Sequence, residues 1–162
     1  MKDSVKSGLD SLFKTHQDKN DQVQSLEKEK GDREKEFLSA FYAHQKSIIR
    51  PAMEMIGKYV EEKGCKYKID ESQDGATSDG KYQGASISIR FLFGKDSYRP
   101  LHEYPSFTIF CEKHVQKARF HENTIAPGRG GQLSPTGEVS LDEVTEELIH
   151  TKILRVLTEA IK

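Results

Sequence analysis

Glu112, His114, Arg119 and His121 come closest, by type and spacing, to a chemical constellation. A carboxylate, imidazoles and a guanidinium side by side can do acid–base work or hold an anionic group. They flank a short spacer, so an antiparallel hairpin would make them cross-strand neighbours. Ser86, Ser88 and Arg90 have the parity to share their sheet face. The plainer reading is the solvent face of a one-sided antiparallel sheet, which is polar by default. Leu92 and Phe110 fall on the same face, which points to partial cover by another helix or chain.

Two loops offer phosphate chemistry. In Ala126-Pro127-Gly128-Arg129-Gly130-Gly131, glycine amides can form an anion-binding nest, with Arg129 and Gly130 as its candidate contacts. No Gly-Lys-Ser/Thr follows and no GxGxxG is present, so neither a P-loop nor a dinucleotide fingerprint is formed. The competing reading is a connector whose glycines serve backbone geometry. The second loop carries Tyr98, Arg99, His102 and Tyr104 between phenylalanine-rich strands. Aromatic and basic residues together bind bases or phosphates, but Pro100 and Pro105 explain a short surface loop equally well.

Metal and nucleophilic sites find little support. The histidines at 16, 44, 102, 114, 121 and 150 form no HExxH, and a His114–His121 site would need a third ligand such as Glu112. Cys65 and Cys111 share the apolar parity of their strands and read as packing residues. No GxSxG or recognisable Ser/His/Asp set occurs. The expectation is no cofactor, no metal and no catalytic residue.

Composition narrows the classes further. The 162 residues carry 25 basic and 26 acidic side chains, a net charge of −1. A dedicated nucleic-acid binder usually has a clear basic excess, so nucleic acid is possible but not favoured as a partner. Residues 65–137 hold a slight local excess, 10 basic against 8 acidic. The longest apolar run is Ala40–Ala43, too short for a membrane span. The opening Met1-Lys2-Asp3-Ser4 leads into no apolar h-region, and Lys2 is incompatible with N-myristoylation. Two cysteines make no disulfide framework, so a reducing cytoplasm is the expected setting.

The elements that must position these residues begin with a charged arm over residues 1–35. Val5, Leu9, Leu12, Val23, Leu26 and Phe37 fit a heptad frame, with Phe13 beside it, but His16, Lys19, Lys30 and Arg33 occupy four of its ten positions. Val5, Leu9, Leu12, Phe13, Val23 and Leu26 are therefore candidate contacts for a protein partner or a second copy. A lightly packed solvated helix and partial disorder are the competing readings. Gly31-Asp32 suggests a break, with Asp32 capping a second helix. That helix carries Phe37, Leu38, Phe41, Tyr42, Ile48 and Ile49. Pro51 either kinks it or opens another, and Gly64 is a natural stop.

Residues 36–162 read as a single α+β domain. Cys65–Ile69, Ala85–Phe93, Phe107–Cys111 and Ala118–Phe120 alternate as strands, with a long turn over Ser72–Gly84 and loops over Gly94–Pro105 and from Ala126 to about Gly137. Short spacers favour antiparallel hairpins. Ser140 and Glu143 form a capping box for a last helix bearing Val144, Leu148, Ile149, Ile153, Val156, Leu157 and Ile161. The expected fold is α+β: N-terminal helices, a four-stranded antiparallel meander, and a C-terminal helix packed on one sheet face. This order resembles, in layout alone, small secretion chaperones and other dimeric adaptors. Layout carries neither residue nor function across. The favoured function is a non-enzymatic interaction or adaptor protein that self-associates or binds a protein partner through its N-terminal helices and exposed sheet face. The alternative is a binding module for nucleic acid or a phosphorylated small molecule, using arginines and histidines of the sheet face and the glycine-rich loop.

Overall fold

A computed structural model describes residues 1–94, 99–126 and 130–162. Two compact units divide the chain, Met1–Glu36 and Phe37–Lys162. Helix α1 spans Asp3–His44 without interruption. The expected break at Gly31-Asp32 is absent. A Cβ at Gly31 would meet nothing within 4 Å, so this glycine answers to no packing constraint. Its cost, about 1 kcal/mol relative to alanine, is absorbed within a long helix.

The chain next makes a single π-helical turn, Gln45–Ile49, and enters α2, Arg50–Glu62. Pro51 is the cause. It has no N–H, and its ring crowds the carbonyl four residues back, so the ladder shifts and the Arg50 N–H reaches Gln45 O. Gly64, with φ +93°, then lets the chain leave the helix.

The sheet is a five-stranded antiparallel meander of order β1 (Lys66–Ser72), β4 (Ser86–Leu92), β5 (Ser106–Glu112), β6 (Lys117–Asn123) and β7 (Leu133–Val139). Four strands were expected, and the fifth corrects that count. Strand β7 lies where the sequence suggested a loop, because Leu133-Ser-Pro-Thr-Gly-Glu-Val contains Pro135, Gly137 and few apolar residues. An edge strand tolerates this composition, and the β6–β7 register shifts between Phe120 and His121 to fit it. Within the expected long turn, β2 (Gly75–Ala76) and β3 (Tyr82–Gln83) form a small separate hairpin.

Alternation decides what each strand buries. Ile87, Ile89 and Phe91 of β4, Phe107 and Ile109 of β5 and Phe120 of β6 join Phe41, Ile49, Met53, Ile149, Ile153 and Val156 of the helices in one core. The helices cover one sheet face, as the α+β reading requires. Helix α3 spans Glu146–Ile161, and its cap is Thr145, whose hydroxyl accepts from the Leu148 N–H at 3.2 Å. The Ser140–Glu143 pair, joined at 3.0 Å, instead spans a 3-10 turn at Leu141–Glu143. That turn sets Val144 in the core before α3 begins. Polar contacts tie the helical layer together: His44 Nε2 lies 2.5 Å from Val144 O, and His150 Nε2 lies 2.8 Å from Ala52 O.

Candidate functional site

The face of the sheet away from the helices holds Arg90, Glu112, Arg119 and His121 of the residues singled out above. Strand register sets Phe110 opposite Arg119, Thr108 opposite His121, and Ser88 opposite Thr108. Across a diagonal, Arg119 Nη2 reaches Glu112 Oε1 at 2.8 Å. The Arg119 guanidinium also stands 5.5 Å from the Phe110 ring centre, and the His121 ring packs edge-on against Phe110 at 4.7 Å. Glu112, Phe110, Arg119 and His121 thus form one half-buried group. Burial pushes the His121 imidazole below its ordinary pKa, and the Arg119 charge pushes it further, outweighing the opposing pull of Glu112. At neutral pH this ring is a neutral donor–acceptor.

The other candidates lie apart from that group. His114 is on the exposed turn after β5, where its charge acts on Asp74. Arg90 is on β4 of the same face, opposite Lys68 and Ser106. Arg99 pairs with Glu103 at 3.6 Å, and His102 is exposed in the 3-10 turn Leu101–Glu103. Buried Asn123 holds this turn against β6: its Nδ2 donates to the carbonyls of His102, at 3.1 Å, and Tyr104, at 3.0 Å. Tyr98 and Arg129 lie outside the described residues. Gly130 is exposed, and the Ala126 N–H donates to its carbonyl at 3.1 Å. A Cβ on Gly131, at φ +150°, would come within 2.5 Å of the Thr124 carbonyl and the Ile125 Cα. Backbone geometry therefore accounts for that glycine.

The arrangement has limited phosphate-binding capacity, since Arg119 and Arg99 are each engaged by a carboxylate. Among the described residues no cluster of three or more His, Cys, Asp or Glu is arranged to hold a metal. Cys65 and Cys111 are buried free thiols, pushed by burial to about 11 and about 12, so they are protonated at neutral pH. Near the small hairpin, Lys113 binds Asp74 at 2.9 Å while the Tyr82 hydroxyl donates to the same carboxylate. Burial alone would raise the Asp74 carboxyl, but these two hydrogen bonds outweigh it and hold it below its ordinary value. The Asp74 N–H donates to the Tyr42 hydroxyl at 2.8 Å, so this network anchors the β2–β3 hairpin.

Apolar surface is the larger feature. On α1, Val5 is 50% exposed, Leu12 63%, Phe13 66%, Val23 53% and Leu26 64%, and Leu9 is exposed with them. A groove of about 860 Å³ between α2 and α3 is lined by Met55, Ile56, Tyr59, Val60, Leu154 and Ile161. It is not legible in the sequence, because Ile56, Tyr59, Val60 and Ile161 continue helix faces that read as core-facing, while Met55 and Leu154 fall outside those faces. No described helix is long and apolar enough to cross a membrane.

Glu122 also stands out in the structure, although no motif singles it out in the sequence. Its side chain is 4% exposed on the helix-covered face and lies 3.8 Å from Arg155 Nε. The signal was the strand period, since Ala118, Phe120 and Glu122 share one parity. The chain matches no family model, no curated protein and no solved structure.

Proposed function

We propose that this chain is a non-enzymatic interaction protein that self-associates through the N-terminal part of α1, with the open sheet face as a secondary contact surface. The observation that carries the reading is the exposed apolar series Val5, Leu9, Leu12 and Phe13, continued by Val23 and Leu26. Val5, Leu9 and Leu12, and again Val23 and Leu26, fall on one heptad frame with Phe13 beside it, so they share one side of the helix. Most helical stability in proteins comes from packing an amphipathic face. Local side-chain contacts here, such as Gln17 to Asp21 at 3.1 Å, add only about 0.2–0.5 kcal/mol each. A second copy supplies the missing packing, with the same stripe meeting itself across a two-fold axis. His16, Lys19, Lys30 and Arg33 interrupt the seam and make the association weaker than a continuous coiled coil. The apolar groove on α2 and α3 also favours the interaction class, because contiguous exposed apolar surface marks interaction sites.

Far-UV circular dichroism against protein concentration tests this reading. Helicity should rise with concentration as the arm associates. Helicity constant from low micromolar to near-millimolar concentration, together with a solution mass that stays at the single-chain value, would overturn self-association through the arm.

A further inference from the structure

The end of β6 places a carboxylate where strand alternation calls for an apolar side chain. Glu122 stands opposite Phe107 on β5 and Ser134 on β7, and it is 3% exposed. Neither of its oxygens accepts a hydrogen bond from any described residue. Arg155 approaches to only 3.8 Å, and its side chain is 65% exposed. Burying a carboxylate is costly unless it is both paired and hydrogen-bonded. Here the pairing is one-sided and the hydrogen bonds are missing.

The carboxylate lines a polar cavity of about 190 Å³ with Thr124, Gln132, Ser134, Thr136 and Arg155. The Thr136 hydroxyl is also buried without a hydrogen-bond partner. A neighbouring polar cavity of about 440 Å³ shares Thr124 and Gln132 with it. Glu159, on the rim of both, is paired with Lys162 at 3.0 Å. An ionised carboxylate is an acceptor only, with about four lone-pair sites. A group that completes it must therefore donate several hydrogen bonds, and positive charge on that group adds to the partial compensation that Arg155 gives at 3.8 Å. A neutral polyol would supply donors and add nothing to the one-sided pairing with Arg155.

We propose that this cleft binds a small organic cation, an alkylammonium or guanidinium group, with Glu122 as its counter-ion and Ser134, Thr136 and Gln132 as polar contacts. Arg155 competes for the same carboxylate and sets the affinity from the solvent side. The site is independent of self-association through the arm.

Amide NMR titration of the full chain tests this, with n-butylammonium and methylguanidinium as probes and n-butanol and N-methylurea as neutral controls at equal ionic strength. Saturable shifts should appear at Thr124, Gln132, Ser134 and Thr136 with the cations alone. Glu122→Gln should weaken cation binding about tenfold or more, and Arg155→Met should tighten it about threefold. Equal shifts from the neutral controls would overturn the proposal. So would no saturable shift, the cavity then holding water only, or unchanged binding in Glu122→Gln. If Glu122→Gln does not fold, Arg155→Met decides: tighter binding supports the site, and unchanged or weaker binding overturns it.

Discussion

The fate of single side chains follows from which sheet face the strand period assigns them. Glu122 inherits the core face from Ala118 and Phe120, and His121 inherits the open face with Arg119. The Glu122 carboxylate detracts from folding, so Glu122→Leu should raise stability in ligand-free protein by about 1–3 kcal/mol, read by urea denaturation at pH 7. Destabilisation instead would mean that the carboxylate is satisfied in the folded state. His121 has the opposite kind of signature, one in pH. Its folded pKa lies below the ordinary value of about 6.5. The unfolded chain therefore binds more protons in the window just below that value, and stability must fall as pH drops from about 6.5. His121→Asn should flatten that slope between pH 6.5 and 5 relative to wild type, whatever its constant cost from the lost Phe110 contact. The Glu112–Arg119–His121 grouping was legible because alternation and a short spacer suffice to place it. Glu122 was not, because a charged residue in a strand reads by default as solvent-facing. Only the count along the strand reveals otherwise.

Element boundaries depended on competition between local signals that a sequence reading weighs one at a time. Two capping signals lie five residues apart, at Ser140 and Thr145. The first closes a 3-10 turn that sinks Val144 into the core, and the second starts α3. Thr145→Ala should cost about 0.5–2 kcal/mol of stability in thermal or urea unfolding, while Ser140→Ala, which loses one exposed side-chain contact, should stay within about 0.5 kcal/mol. Equal costs would place the effective helix start at Ser140 after all. Strand β7 was illegible for a related reason. Proline and glycine argue against a central strand, but an edge strand with a register shift accepts both. Helix α2 packs on β1 so closely that a Cβ on Gly57 would sit 2.6 Å from the Tyr67 ring. Gly57→Ala should thus destabilise the chain by about 1–3 kcal/mol, despite the better helix propensity of alanine. Adding Tyr67→Leu should recover part of the loss.

At the scale of the whole molecule, residues 37–162 hold the core and residues 1–36 hold exposed helix. The division of a packed α+β domain from a charged helical extension is visible in composition, since only Val23 and Leu26 are apolar between Lys14 and Glu36. The helix's continuity past Gly31 is not, because it rests on the absence of any competing constraint at that position. The central claim is that the exposed apolar stripe brings two copies together. The most direct measurement is the solution mass of the full chain by light scattering across concentration, with the Leu12→Glu/Leu26→Glu double variant beside it. The wild-type mass should climb from 18.4 kDa towards twice that value, and the variant should stay at the single-chain mass. A wild-type chain that remains at 18.4 kDa up to near-millimolar concentration, or a variant that associates as strongly as wild type, would contradict that claim.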